Sequence, residues 1–265
     1  MKTDRRTALG LLAAAGLSAC GTQTTRRGVP FVLVHGAWHG AWCWDRVVPM
    51  LQGRQHAIHT PTLPGMGERA AELSAAIDLQ THIADIAQYI ERRDLRDVIL
   101  VGHSYAGLVI SGVADQLGAA RLRRLIFVDA LVLDSGQSLA SVLGPAWSSF
   151  ADAARERGGG IAMPALPPTA FGVLDAQDQA WVASRLTAHP VHTFDRPLVL
   201  RQPLGNGVSK VYIDCHSPGM PAVAPFKAKV RAQEGWAAYE SLATGHDAMV
   251  TQPSGLATLL LKHAA

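Results

Sequence analysis

The chain has 265 residues, of which 48% are hydrophobic and 17% are charged, so it is long enough to bury one large core. Its formal net charge is +3 at pH 7. Three of the 24 basic and one of the 21 acidic residues lie within residues 1–19, which leaves 21 basic against 20 acidic groups in the rest of the chain. A net charge near +1 is not the footprint of a nucleic-acid-binding protein, and we expect no nucleic-acid partner.

The first 19 residues predict an export signal and not a part of the fold. A basic start with the pair Arg5-Arg6 precedes an apolar run over 8–19, about 12 residues against the ~20 that span a bilayer. The arginine pair is typical of a Tat-type signal, and the sequence LSAC at 17–20 resembles a bacterial lipobox. We therefore expect lipidation at Cys20, a polar tether over residues 20–30 and a protein anchored on the periplasmic side of the bacterial envelope. Simple cleavage of the signal, which gives a soluble periplasmic protein, is the alternative.

The first predicted strand, residues 31–35, ends in His-Gly and leads into a loop rich in glycine and tryptophan. In a fold that carries a serine nucleophile after a later strand, such a loop supplies one backbone N–H of the oxyanion hole. We assign that donor to the amide of Ala37. The ring of His35 is expected to brace the loop, and Trp38 and Trp42 are expected to offer apolar surface to a substrate.

The sequence GHSYAG at 102–107 follows the apolar run 98–101 and precedes a helical pattern of small residues. A strand that turns sharply into a helix with serine at the turn is a nucleophile elbow, in which the backbone of the serine is strained. Its neighbours two positions away must be small, and Gly102 meets that demand while Ala106 adds one methyl group. We predict Ser104 as the nucleophile and the amide of Tyr105 as the second oxyanion donor.

The hydrophobic pattern along the chain predicts alternating strands and helices. Helical patterns include residues 79–92 and a C-terminal helix from about residue 253. This alternation predicts a mostly parallel sheet covered on both faces, with ligands bound beyond the carboxyl ends of its strands. Strand-like runs lie at 31–35, 56–60, 98–102, 125–129, 208–214 and 236–242.

Residues 134–203 interrupt this alternation and predict a small helical cap over the catalytic serine. They include a glycine triplet at 158–160 and a proline-rich stretch at 163–168. Such a cap would exclude water from the site. Its aromatic residues are expected to form the core of the cap or to line a substrate pocket, and they are Trp147, Phe150, Phe171, Trp181 and Phe194.

His246 lies in the loop after the last predicted strand, where it completes the order serine, acid, histidine as the general base. Two carboxylates compete for the acid. Asp129 ends the strand at 125–129, and Asp214 ends the following strand, where the alternation of side chains points it away from the histidine. We favour Asp129, whose role would be to orient the imidazole and stabilise the imidazolium. Asp247 is expected to brace its own loop.

Cys43 and Cys215 are the cysteines left once the lipobox is set aside. The sequence does not show whether their Cα atoms come close enough to form a disulfide. We expect two buried free thiols.

Six segments together resemble the bacterial relatives of the plant methylesterase and hydroxynitrile lyase group of α/β-hydrolases. The resemblance implies an α/β-hydrolase fold with a small helical cap, and a serine esterase that needs no metal and no organic cofactor. The plant enzymes carry their acid a few residues after the strand that resembles KVYI, where this chain has Ser217 or Pro218. The segments are HGAWHGAWCW (35–44), TPTLPGMGER (60–69), GHSYAG (102–107), FVDALVLDSGQS (127–138), KVYIDC (210–215) and ATGHDAM (243–249).

The sequence therefore predicts an α/β-hydrolase domain over residues 31–265, and a serine hydrolase that cleaves small to medium uncharged carboxylic esters through an acyl-enzyme. Its catalytic residues would be Ser104, His246 and Asp129. Hydroxynitrile lyases of the group carry a lysine where this chain has Asp247, and haloalkane dehalogenases need a carboxylate in place of the serine. Hydrolysis of amides, lactones or thioesters and perhydrolysis remain open, as does a ligand-binding lipoprotein with little turnover. The sequence leaves the oligomeric state open.

Overall fold

The computed structural model describes residues 28–264. Six strands form one parallel sheet in the order β2-β1-β3-β4-β7-β8, and β5 pairs with β6 in a separate antiparallel ribbon. The predicted parallel sheet is therefore confirmed. In chain order the strands are β1 (Phe31–Val34), β2 (Ile58–His59), β3 (Val98–His103), β4 (Leu122–Val128), β5 (Ala162–Met163), β6 (His189–Pro190), β7 (Ser209–Cys215) and β8 (Ala238–Leu242).

Helices cover the sheet and build the insertion between β4 and β7. The helices are α1 (Val48–Gln52), α2 (Leu79–Arg92), α3 (Ala106–Arg121), α4 (Leu139–Leu143), α5 (Pro145–Arg157), α6 (Ala176–Ala183), α7 (His192–Asp195), α8 (Ala224–Ala232), α9 (Ala248–Thr251) and α10 (Pro253–Lys262). Helices α4 to α7 and the β5–β6 ribbon lie within the segment 134–203, where the sequence predicts a cap. Within residues 28–264 no helix is both long and apolar enough to cross a membrane.

The centre of the sheet forms the core. Every residue of β1 and β3 is buried, because helices cover both faces of a parallel sheet and leave no solvent-facing side. This double burial explains why these strands read as continuous apolar runs. Helix α2 begins at the predicted residue, where the side chain of Asp78 accepts a hydrogen bond from the Thr81 amide at 2.9 Å.

The domain begins slightly earlier than the sequence indicates. Residues 28–30 fall in the predicted tether, yet the Ile99 amide donates to the Pro30 carbonyl at 2.9 Å, and His56 Nδ1–H donates to the Val29 carbonyl at 3.1 Å. These contacts extend the pairing of β1 by a few residues at its N-terminal end, which the side-chain pattern does not reveal. The predicted export signal, the rest of the tether and Cys20 lie outside the described residues.

Candidate active site

Ser104 occupies the turn between β3 and α3. Its φ is 55°, in a region that costs free energy for any residue with a side chain. Backbone hydrogen bonds on both sides hold it there, since its amide donates to the Val128 carbonyl at 3.1 Å and its carbonyl accepts from the Leu131 amide at 3.0 Å. The turn leaves the side chain of Ser104 partly exposed at the carboxyl end of the sheet.

Glycines allow the backbone to crowd around this turn. A Cβ atom at Gly102 would lie 2.7 Å from the Ala106 carbonyl oxygen, and one at Gly36 would lie 2.9 Å from Ser104 Cβ. A Cβ atom at Gly107 would overlap the Leu131 carbonyl oxygen. The tightest approach after the serine therefore falls on residue 107, which explains why alanine fits at residue 106.

His246 and Asp129 form a buried pair beside the serine turn. His246 Nδ1–H donates to Asp129 Oδ2 at 2.6 Å, and both side chains are buried. This bond fixes the tautomer and leaves a lone pair on Nε2, which is buried and has no hydrogen-bond partner within residues 28–264. Ser104 Oγ therefore makes no hydrogen bond to Nε2 in this structure. The hydrogen bond between a nucleophile and its base often forms only when substrate binds. A free imidazole nitrogen backed by a carboxylate has the properties of a general base.

Asp214 does not reach the imidazole. Its Oδ2 accepts from Arg231 at 2.6 Å and from the hydroxyl of Tyr239 at 2.9 Å, and neither of its oxygens contacts His246. Of the two carboxylates that the sequence leaves open, Asp129 is the one that contacts His246. The alternation of side chains along the strand gives the physical reason.

Lys227 also contacts the acid of this pair, and the sequence did not predict it. Its Nζ lies 2.7 Å from Asp129 Oδ1 and 2.7 Å from Asp214 Oδ1. Burial raises the pKa of Asp129, but its hydrogen bond from His246 and the charge of Lys227 hold that pKa below the usual value. The spacing of Phe226 and Val230, which are buried on the same face of α8, is the signal that could have indicated an inward-facing lysine.

The amides of Ala37 and Tyr105 are free to bind an oxyanion. Neither donates a hydrogen bond to a protein group in the described part of the chain. His35 Nδ1–H donates to the Gly36 carbonyl at 2.8 Å, and because the peptide is planar and trans, this bond turns the Ala37 N–H the opposite way. His35 Nε2 accepts from the Leu63 amide at 3.0 Å, and burial lowers the pKa of His35 to about 3, so the ring is neutral. The Tyr105 N–H is oriented by the Leu131 amide, which donates to the Ser104 carbonyl.

Asp247 pairs across the site and does not brace its own loop, in contrast to the expectation from the sequence. Its Oδ2 accepts from His39 Nε2–H at 3.0 Å, and His39 Nδ1–H donates to the Ala37 carbonyl at 2.7 Å. Both ring nitrogens of His39 face acceptors, which indicates an imidazolium. Burial lowers the pKa of His39, but the Asp247 carboxylate outweighs burial and raises that pKa above the usual value. The pair ties the loop of the oxyanion donor to the loop of the general base.

The two predicted substrate-binding tryptophans join the loop after β1 to the cap. Trp38 is 5% exposed, and its Nε1–H donates to the Met163 carbonyl at 3.1 Å. Its ring stacks on Phe150 with centroids 6.2 Å apart, and it also packs on Phe171 and Phe194. Trp42 stacks on His39 at 5.2 Å and meets the edge of Trp181 at 5.1 Å. The aromatic cluster therefore spans the boundary between body and cap.

The two cysteines of the described chain are not activated as nucleophiles. As expected, Cys43 and Cys215 are buried free thiols, and burial raises the pKa of each. Over residues 28–264 no three His, Cys, Asp or Glu side chains converge as metal ligands would.

Comparisons with known proteins agree with this geometry. The profile of the alpha/beta hydrolase family matches residues 31–259. A carbendazim hydrolyzing esterase from Nocardioides sp. (strain SG-4G) is 37% identical over 243 residues, which cover 87% of this chain and 97% of that protein. Methylesterase 3 of Arabidopsis thaliana is 35% identical over 118 residues, or 40% of this chain and 41% of that one. One solved structure that superposes on this chain is an extracellular alpha/beta-hydrolase from a Paenibacillus species, described as sharing structural and functional homology with tobacco Salicylic Acid Binding Protein 2. The superposition has a TM-score of 0.75 at 25% identity and covers 88% of this chain and 98% of that one.

Proposed function

The chain belongs to the alpha/beta hydrolase family, and we propose that it hydrolyses carboxylic esters with Ser104 as its nucleophile. One observation carries the proposal. His246 Nδ1–H donates to a buried carboxylate at 2.6 Å, its Nε2 has no partner within residues 28–264, and its ring lies 4.6 Å from that of His103, the residue before a serine held in a strained turn. His39, in contrast, uses both of its ring nitrogens. His103 also leaves one ring nitrogen without a partner in the described chain, but its other nitrogen bonds to a backbone carbonyl and not to a carboxylate.

The reaction follows from these positions. Ser104 Oγ attacks the ester carbonyl while His246 Nε2 takes its proton, and Asp129 stabilises the resulting imidazolium. The carbonyl oxygen becomes an oxyanion and accepts hydrogen bonds from the amides of Ala37 and Tyr105. The imidazolium then gives its proton to the leaving alcohol. Water, deprotonated by the same ring, attacks the acyl-enzyme and releases the acid.

The surroundings favour small to medium uncharged esters. The loop after β1 and the cap present tryptophan and phenylalanine rings near the serine turn, and a charged substrate would lose its hydration there. A related esterase is named for its action on carbendazim, and a second relative is named a methylesterase. Methyl esters of aromatic acids and carbendazim itself are therefore the first substrates to assay.

Two substitutions test the proposal with p-nitrophenyl acetate. In comparable triads, loss of the serine removes about 10⁶ of kcat, and exchange of the acid for its amide removes about 10⁴. We expect losses of this order for Ser104→Ala and Asp129→Asn, with Asp152→Asn, an exposed carboxylate of the cap, retaining wild-type activity. A fluorophosphonate probe should label the wild type at Ser104 and leave Ser104→Ala unlabelled. Undiminished hydrolysis by purified Ser104→Ala would end the assignment, and ligand binding without turnover would favour a receptor.

We also propose that the chain is exported and anchored through a lipid at Cys20. The support is the sequence alone, in the arginine pair followed by an apolar run and a lipobox. Mass spectrometry of the N-terminal peptide from a bacterial membrane fraction measures the modification, and an unmodified peptide that begins before Cys20 would refute it.

A further inference from the structure

We propose that Lys227 is a positioning residue that weakens the affinity of His246 for a proton, and that Asp214 is the counter-charge that limits this effect. The inference rests on the proposed function, because it concerns the base of that reaction. It assigns a role to Asp214 that differs from the catalytic acid considered for it above.

The three charged groups form one buried cluster. Lys227 Nζ lies 2.7 Å from Oδ1 of Asp129 and 2.7 Å from Oδ1 of Asp214, and it donates to the Cys215 carbonyl at 2.5 Å. The lysine is only 8% exposed, and lysines are rarely buried at all unless they are paired. Holding a positive charge at this point therefore costs desolvation free energy.

Asp129 divides its two oxygens between the lysine and the base. Oδ2 accepts from His246, while Oδ1 faces Lys227 and accepts from the Cys215 amide at 3.0 Å. A positive charge one carboxylate away from an imidazole disfavours its protonated form, and a negative charge beyond that positive charge partly offsets the effect. Lys227 and Asp214 therefore act on His246 in opposite directions.

Nearer the imidazole, the ring of His103 on β3 lies 4.6 Å from that of His246 and is neutral, because burial lowers its pKa to about 3. The Asp247 carboxylate is paired with His39, and none of the variants below changes these groups.

The groups that face the other side of the cluster also leave the balance intact. On α8, Arg231 pairs with Asp214 but is more than half exposed, so solvent screens its charge. On β8, the hydroxyl of Tyr239 donates to Asp214, and on β7 the thiol of Cys215 lies alongside. Burial raises the pKa of both, so they stay neutral over the working range.

The test compares the pH dependence of kcat/KM in four variants. We expect Lys227→Met to move the acid limb to higher pH by about one unit, because removal of a unit charge at this range lets the ring bind its proton more tightly. Asp214→Asn should move it in the opposite direction. The double variant restores the charge balance and should lie close to the wild type. Lys229→Met is the matched control, because that lysine is on the same helix but pairs with Asp134.

A purely structural lysine would change stability and leave the acid limb in place. Coincident acid limbs for Lys227→Met, Asp214→Asn and the wild type would therefore overturn the proposal. If Lys227→Met does not fold, Asp214→Asn alone decides, and an acid limb that stays in place or moves to higher pH counts against it. Activity retained by Ser104→Ala would instead refute the proposed function, so the two failures are distinguishable.

Discussion

Ser104, Asp129 and Trp38 share a backbone conformation that residues with side chains seldom adopt, with φ angles of 55°, 45° and 65°. Each follows a strand of the central sheet, and each is fixed by a bond to another segment. The Asp129 amide donates to the Ile213 carbonyl at 2.7 Å, and Trp38 is held by its indole bond to Met163. Strain of this kind persists only where the surrounding structure over-determines it. The backbone therefore fixes the proposed nucleophile and the proposed acid in place.

The buried pair of His39 and Asp247 is the second fixed point of the site. We expect Asp247→Asn to lower the free energy of unfolding by about 3–5 kcal/mol, because it strands a buried imidazolium without its counter-charge. Activity should fall as well, since His39 holds the Ala37 carbonyl. Urea denaturation and kcat measure the two effects.

A double variant separates charge from shape at this pair. In His39→Gln with Asp247→Asn two neutral amides can hydrogen-bond to each other, so the double variant should be more stable than Asp247→Asn alone. His192→Gln, which disrupts a partly exposed pair with Asp195, serves as the control. A single variant Asp247→Asn as stable as the wild type would show that the pair carries no charge.

The turn from β3 into α3 shows how helix propensity yields to packing. Alanine is favoured over glycine inside a helix by about 1 kcal/mol. Gly107 nevertheless lies against the Leu131 carbonyl, a backbone atom that cannot move without disturbing the loop that carries Asp129. Gly112, later in the same helix, faces Cδ1, Cγ1 and Cγ2 of the Ile83 side chain and no backbone atom among its nearest neighbours. The same substitution should therefore have different effects at the two positions.

We expect Gly107→Ala to destabilise the protein by about 1–3 kcal/mol despite the better helix propensity. Gly112→Ala should cost less, because the side chain of Ile83 can shift as a whole more readily than the backbone carbonyl of Leu131 can. Guanidinium or urea denaturation of both variants gives the comparison. Equal stability of the two would mean that the loop at Leu131 gives way as easily as a side chain.

The central elements could be predicted because their signals are local. The central strands β1 and β3 are buried on both faces and read as apolar runs, and the helix at 79–92 has both its apolar stripe and its cap in the sequence. The β5–β6 ribbon was missed, since its strands have two residues each and include Pro190. A strand of two residues is too short to show the alternation of apolar and polar residues by which strands are recognised.

The candidate site likewise contains residues with a local sequence signal and residues whose contacts are long-range. Ser104 follows from a motif of six residues, whereas the bond from His39 to Asp247 joins residues 208 positions apart. Lys227 is one of three basic residues on α8, and the apolar spacing of Phe226 and Val230 marks the inward face but does not show which carboxylates the lysine meets. Contacts of this kind depend on how helices and loops meet across the sheet, which the local pattern does not encode.

Several buried histidines make the folded chain sensitive to acid. Burial lowers the pKa of His35 to about 3, of His82 to about 4 and of His103 to about 3, and it also lowers that of His189. Each is neutral in the folded state, as in His82, which accepts from the Tyr105 hydroxyl and donates to the Pro64 carbonyl. In the unfolded chain their pKa returns to about 6.5. The unfolded state therefore takes up protons first as the pH falls.

Stability should decline as the pH falls from 6.5 towards these lowered values, with each histidine adding up to about 1.4 kcal/mol per pH unit. Urea denaturation at a series of pH values measures the slope. The substitution His82→Gln should lower the slope of the unfolding free energy against pH by the contribution of one histidine. The substitution His192→Gln replaces a partly exposed histidine and serves as the control. A free energy of unfolding that stays constant below neutral pH would contradict the neutral buried state.

The site draws on both ends of the domain, and this has a consequence for its biosynthesis. The loop with Ala37 follows the first strand, while His246 and Asp247 lie fewer than 20 residues from the last one of the chain. A nascent polypeptide that stops short of this segment carries the serine but neither its base nor the partner that anchors the first loop. Hydrolysis is therefore expected only after residues 246 and 247 have been synthesised and folded against the first loop.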